Sequence, residues 1–144
     1  MSVAQLDEQL CFALYSASNS LTRIYRSLLE PHGLTYPQFV VLMALWQKDN
    51  VSITQLAQKT GLAKATMTPL LKRLEQKGLI ERQRLESNDR QKNIVLTEAG
   101  LELSKQSGDI TNQVFCSTTL TAGEANTIIA ACHQINEAIR NQTK

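Results

Sequence analysis

The chain has 144 residues, a formal net charge of +2 and 42% hydrophobic residues, which is one domain's worth of sequence with enough apolar side chains for a sizeable core. Its longest apolar run, Phe39 to Trp46, is eight residues long and excludes a membrane-spanning helix, which needs roughly 20. Met1–Gln5 has neither a basic start nor an apolar run, so no signal peptide, no membrane association and a cytoplasmic location are expected.

Only three prolines and six glycines interrupt long periodic stretches, so a mainly helical fold is predicted. Leu6, Leu10, Ala13, Leu14, Ala17, Leu21, Ile24 and Leu28 keep helical spacing from the N-terminus to about Leu29, and Pro31-His32-Gly33 ends that first helix. Thr35-Tyr36-Pro37-Gln38 is a capping box with proline in the first turn, opening the helix of Phe39–Trp46. Lys48-Asp49-Asn50 breaks the chain. Ser52 begins a second capping box with Gln55, Leu56 and Ala57 form a buried face, and Gly61 ends this short helix where a left-handed residue is cheap.

A further helix is predicted from about Ala63 to Lys77, stopped by Gly78. Met67, Leu70, Leu71 and Leu74 form its buried stripe, leaving Lys64, Thr66, Thr68, Lys72 and Arg73 outside. Proline in a helix interior costs about 3 kcal/mol, so Pro69 is expected in the first turn, with the regular helix starting near Thr66; a kink is the competing reading. After Gly78 the period changes. Leu79–Arg84 and Asn93–Leu96 read as short strands, with Glu86–Arg90 a polar turn between them. Two short helices, a tight turn and a basic hairpin read as a winged helix-turn-helix. Its helix fits the major groove of DNA and its hairpin could reach the neighbouring minor groove. Charge agrees: residues 64–92 hold eight Lys or Arg against four Asp or Glu, while the rest holds seven against nine. Lys64, Thr66, Thr68 and Lys72 on the helix and Arg90 on the hairpin are the expected DNA contacts, with Arg82 and Asp89 pairing across the hairpin to hold its shape.

Thr97-Glu98-Ala99-Gly100 opens the next helix, Ser117-Thr118-Thr119 interrupts it, and Thr121–Glu124 is a third capping box. Ala125, Ile128, Ile129, Cys132, Ile135 and Ile139 then lie on one face of the last helix. The terminal helices are apolar on one side and need a partner. A twofold homodimer is therefore expected, on a pseudo-palindromic double-stranded DNA site with reading helices about 34–36 Å apart. Residues 1–34 and 98–144 are assigned to dimerisation and 35–97 to the winged helix-turn-helix, within one compact domain.

In such a compartment three cysteines are buried, metal-bound or redox-active rather than a disulfide framework. His32 and His133 are far apart and Cys132-His133 lacks ligand spacing, so neither metal nor cofactor is expected. Cys11 lies one helical turn before Tyr15, and all three tyrosines (Tyr15, Tyr25, Tyr36) fall in the first quarter of the chain. Their hydroxyls could donate to a thiolate and make it a nucleophile towards peroxide. From spacing alone, a packed core cysteine is the more ordinary reading.

The sequence resembles the MarR family of winged-helix repressors, through Asp89-Arg90 followed by Leu96-Thr97-Glu98-Ala99-Gly100. It resembles in particular the organic hydroperoxide-resistance branch, through Leu10–Tyr15, Leu34–Gln38 and Thr66–Leu74. The resemblance implies a dimeric repressor in which organic hydroperoxide, as inducer, oxidises Cys11 to a sulfenic acid. It also implies that Tyr25 and Tyr36 hydrogen-bond the reactive cysteine and, in a two-cysteine subclass, that a cysteine of the other subunit captures the sulfenic acid. Cys116, at a helix end where the chain can move, fits that second role better than Cys132, which reads as packed core. Two rivals stand beside this reading: a MarR-type repressor that responds to a small aromatic acid, and a thiol peroxidase.

Overall fold

The computed structural model describes residues 2–85 and 88–142; for residues 84, 85 and 88–91 it describes the backbone alone. Six helices and three strands follow in the order α1 (Leu10–Leu29), α2 (Tyr36–Gln47), β1 (Val51–Ser52), α3 (Ile53–Thr60), α4 (Lys64–Gln76), β2 (Ile80–Leu85), β3 (Asn88–Leu96), α5 (Glu98–Ser117) and α6 (Ala122–Gln142). The chain packs as two compact units, Met1–Thr111 and Asn112–Lys144. No helix among the described residues is long and apolar enough to cross a membrane.

Local chemistry sets most boundaries. In α2, Thr35 Oγ1 accepts from the Gln38 amide at 3.3 Å and Gln38 Oε1 accepts from the Thr35 amide at 3.1 Å. Ser52 and Gln55 do the same for α3, at 3.1 and 2.9 Å, and Gly61 ends it at φ 76°. In the second unit Thr121 and Glu124 cap α6 in the same way. These reciprocal bonds satisfy amides that have no partner in the helix.

Three expectations change. The first helix does not run from the N-terminus: Leu6–Glu8 form a 3-10 turn, Gln9 is extended at ψ 122°, and α1 starts at Leu10. The hairpin strands are longer than predicted. Leu85 lies opposite Asn88, and the backbone of Asp89 and Arg90 belongs to β3. Pro69 is not in a first turn. The helix begins at Lys64 with Ala63 as its cap, placing proline inside it and leaving the carbonyl one turn earlier, on exposed Ala65, without its helical donor.

A short strand that the sequence did not announce completes the sheet, whose order is β1-β3-β2, all antiparallel. Val51 pairs with Ile94 and Ser52 with Asn93. Asp49 Oδ1 reinforces this corner by accepting from the Leu96 amide at 2.9 Å, and Asn93 Nδ2 donates to Asn50 Oδ1 at 2.9 Å. The core of the first unit joins Leu29, Phe39, Val41, Leu42, Leu45, Leu56, Met67, Leu71, Leu74, Ile80 and Ile94. The start of α5 docks against α2 and the approach to the hairpin: Trp46 Nε1 donates to the Gly100 carbonyl at 3.0 Å and Thr97 Oγ1 to the Gly78 carbonyl at 2.6 Å.

At Gly100 a Cβ atom would overlap the Leu79 carbonyl oxygen. Gly100→Ala should therefore lower unfolding stability by about 1–3 kcal/mol, the usual cost of overpacking, measured as a fall in the urea midpoint at unchanged slope.

Candidate functional site

Anchoring by Met67, Leu70, Leu71 and Leu74, all buried, decides what α4 shows outside. At about 100° per residue, Ala65, Pro69, Lys72 and Gln76 lie opposite that stripe, flanked by Lys64 and Thr68 on one side and Thr66 and Arg73 on the other. Lys64, Thr66, Thr68 and Lys72, the helix contacts expected from sequence, are all exposed, so the helix offers two cations and two hydroxyls to a ligand. Thr68 Oγ1 also donates to the Lys64 carbonyl at 3.1 Å. Thr66, Pro69, Leu70 and Arg73 face Thr35, the cap of α2, and Pro37 and Gln38 in its first turn across a cavity of about 260 Å³. Arg73 adds a cation at this edge that the sequence reading did not single out as a contact.

The hairpin is held differently from expectation. Arg82 lies opposite Ile94, several rungs from the Asn88 end, and its Nε is 3.9 Å from Glu75 Oε1 on the last turn of α4. Each rung along a strand spans about 3.3 Å, so the register carries Arg82 away from Asp89, and the pairing predicted between them gives way to one with Glu75. This ties the hairpin base to the reading helix. The side chains of Asp89 and Arg90 lie outside the described residues.

The sensor candidates fall in two places. Cys11 is on the first turn of α1 and exposed, so it is not the packed core cysteine that spacing alone favours. Its neighbours Leu10, Leu14 and Tyr15 are 64%, 36% and 66% exposed, an apolar patch without cover in a single chain. Only the second half of α1 enters the core, through Leu29 with Tyr25 and Leu28 beside it. Tyr25 and Tyr36 stack with ring centroids 4.6 Å apart, and Tyr25 lies 5.8 Å from Phe39. Burial pushes the Tyr25 phenol above its ordinary value near 10, with Tyr36 adding to the rise, and burial alone pushes up Tyr36. Both are therefore neutral donors near pH 7.

These phenols cannot serve Cys11 of their own chain. Tyr25 follows Cys11 by fourteen residues on one continuous helix, a rise of about 21 Å at 1.5 Å per residue. Only a second copy could bring them together.

In the second unit, Cys116 is exposed near the end of α5, whereas Cys132 is half-buried on α6, which has no buried residue. Cys132 is thus not packed core within one chain; Ile128, Ile129 and Ile139 on the same helix are 45%, 52% and 53% exposed. The turn after Cys116 is closed by hydrogen bonds rather than loose. Thr119 donates its amide to the Cys116 carbonyl at 3.2 Å, Thr118 Oγ1 donates to Phe115 at 2.6 Å, and Thr119 sits at φ 61°. Exposure, not looseness, is what distinguishes Cys116. No group of three or more His, Cys, Asp or Glu side chains that could hold a metal occurs among the described residues.

Comparison with known proteins adds independent evidence. Residues 34–92 match the MarR family model. The chain is 33% identical over 138 residues to the organic hydroperoxide resistance transcriptional regulator of Bacillus subtilis, covering 96% of this chain and 94% of that protein. It is 40% identical over 124 residues, 86% of the chain, to the transcriptional regulator TtmR of Methylorubrum extorquens, of whose longer sequence it spans 64%. In three dimensions it is similar to reduced AbfR of Staphylococcus epidermidis bound to DNA, with TM-score 0.78, 29% identity and coverage of 96% and 95% of the two chains.

The paired phenols have a consequence in alkali. Because their folded-state values lie above 10, the folded chain keeps these protons after the unfolded chain has lost them, so the stability they contribute is complete below pH 10 and falls as pH rises through that range. The urea midpoint, followed from about pH 9 to about pH 11, should fall less steeply in a Tyr25→Phe, Tyr36→Phe variant than in the wild type. Equal slopes would show that the pair contributes nothing to the alkaline loss.

Proposed function

Because the chain belongs to the MarR family of winged-helix regulators, we propose that it is a DNA-binding repressor that leaves its site when an organic hydroperoxide oxidises Cys11. The observation that carries this reading is the position of Cys11: an exposed thiol on an uncovered apolar helix face, out of reach of the two neutral phenols of its own chain. A homodimer built on residues 1–34 and 98–144 covers that face and the exposed isoleucines of α6. It sets Cys11 beside Tyr25 and Tyr36 of the partner subunit, which donate to the thiolate. Residues 35–97 of each copy then read a half-site.

Binding uses Lys64, Thr66, Thr68 and Lys72 of α4 in the major groove and Arg90 of the hairpin in the minor groove. The cations supply the salt-dependent attraction to phosphate. Arg82 positions the hairpin through Glu75.

In the switching step the Cys11 thiolate attacks the outer oxygen of the hydroperoxide. The S–O bond forms as the O–O bond breaks, and the alkoxide leaves as the alcohol after taking a proton. Sulfur is oxidised to the sulfenic acid and the peroxide is reduced. The Cys116 thiolate of the partner subunit then attacks that sulfur, forming S–S, and the hydroxyl leaves as water after protonation; Cys132 is the less favoured second thiol. The bridge draws the dimer helices together and shifts the half-site spacing. A thiol reductant restores the free cysteines. This consumes one equivalent of peroxide per site, as a sensor does, with no turnover. A second reading is favoured by the cavity lined by Arg73: a small aromatic acid held there would displace α4 directly.

Cys11→Ser should bind DNA like the wild type and ignore hydroperoxide, whereas wild-type affinity should fall by about 5–150-fold on oxidation, measured by fluorescence anisotropy. Release of Cys11→Ser by peroxide would overturn the sensor, and its release by an aromatic acid would favour the second reading. On a non-reducing gel, stoichiometric hydroperoxide should give a covalent dimer that is lost in Cys11→Ser and Cys116→Ser but kept in Cys132→Ser. Arg90→Ala should weaken binding and reduce the salt slope by about one phosphate contact.

A further inference from the structure

Gln38 is the one polar side chain fully withdrawn from solvent among the described residues, 3% exposed, and its environment links two distant parts of the first unit. Its Oε1 accepts from the Thr35 amide at 3.1 Å and from Lys77 Nζ at 3.2 Å. Lys77 Nζ also donates to the Gly33 carbonyl. Lys77 is the residue that caps α4, its amide bonded to the Arg73 carbonyl at 3.0 Å. Gly33, at φ 68°, belongs to the turn between α1 and α2, and Tyr36 lies between Thr35 and Gln38 in the first turn of α2.

One ammonium group therefore fastens the end of the reading helix to the turn that holds Tyr36. We propose that Lys77 is the positioning residue through which loss of the bond from Tyr36 to the thiolate, when Cys11 is oxidised, reaches α4, so that breaking this clamp separates oxidation of the thiol from release of DNA. The proposal rests on the sensor reading above. Beside the clamp, Leu42 of α2 and Met67 and Leu71 of α4 belong to one apolar core, and apolar packing has no preferred direction. The clamp has one. Its bonds run from a charged donor to a carbonyl and a side-chain amide oxygen, the arrangement that is strongest and most sensitive to distance and angle. A shift of Tyr36, stacked on Tyr25 of α1, moves the Thr35–Gln38 turn as a body because its capping box is closed on itself. Lys77 is exposed and lies on none of the surfaces assigned to DNA contact.

The test compares full-length wild type with Lys77→Met, which keeps most of the stem and removes the ammonium, and Lys77→Arg, which restores a cation. Gln38→Met removes the acceptor from the other side. Each is titrated against a duplex selected from a random pool by the reduced wild-type protein, before and after treatment with tert-butyl hydroperoxide. The oxidation state of Cys11 is read by mass spectrometry. The quantity that matters is the ratio of oxidised to reduced Kd, in which the effect of losing one charge on DNA affinity cancels. Wild type and Lys77→Arg should weaken by about tenfold or more on oxidation, and Lys77→Met and Gln38→Met by less than about threefold, with Cys11 oxidised at an unchanged rate in all four. A purely structural lysine would lower the melting temperature and the reduced-state affinity while leaving the ratio at its wild-type value, and that result overturns the proposal. If wild type itself keeps its affinity with Cys11 fully oxidised, the sensor reading fails, and the proposal with it.

Discussion

Everything the outer side of α4 can offer depends on how its inner side is held, and four side chains do the holding. Met67, Leu70, Leu71 and Leu74 lie in the core of the first unit. With the helix axis and rotation fixed by that packing, Lys72 points outward without any hydrogen bond steering it. Three polar attachments refine the placement: Glu75 reaches the hairpin through Arg82, Lys77 reaches the turn before α2, and Gly78 accepts from Thr97. Apolar burial supplies the anchoring energy, and the hydrogen bonds of Lys77 and Gly78 at the C-terminal end supply the register, with the 3.9 Å Arg82–Glu75 ion pair adding attraction but no hydrogen bond.

The same accounting exposes what one chain leaves unfinished. The second half of α1 is part of the core, while its first half, with Leu10, Leu14 and Tyr15, is open to solvent, and no residue of α6 is buried. Apolar surface of this extent on two terminal helices is uncommon in a protein that acts alone. Cys11 sits within this surface, so the chemistry assigned to it and the assembly of the dimer are parts of one problem.

How much of this was legible in the sequence follows from the range of each interaction. The capping boxes at Thr35, Ser52 and Thr121 close within three residues, and the sequence shows them directly. The buried stripe of α4 and the left-handed glycines at Gly33 and Gly61 are equally local. Non-local terms decided the rest. β1 exists only because Val51 meets Ile94, more than forty residues away. Pro69 is tolerated mid-helix because the carbonyl it leaves without a donor, on Ala65, faces solvent. Arg82 finds Glu75 because the register, not the alternation of charge, sets its neighbours. The exposure of Cys11 was hidden for a different reason: an apolar helix face has the same pattern whether it meets the rest of its own chain or a second copy.

The indole of Trp46 gives the molecule an optical property. It is the only tryptophan in the chain, its ring lies edge-on to Phe39 at 5.8 Å, and its N–H is committed to the carbonyl of Gly100 at the start of α5. Its emission therefore comes from one place, the seam where the helix leading towards the second unit meets the core of the first. The wavelength and quenching of that emission depend on whether the carbonyl stays in position. Any rearrangement that pulls α5 away from α2 is written into the fluorescence of the unlabelled protein, and motion confined to the hairpin tip is not.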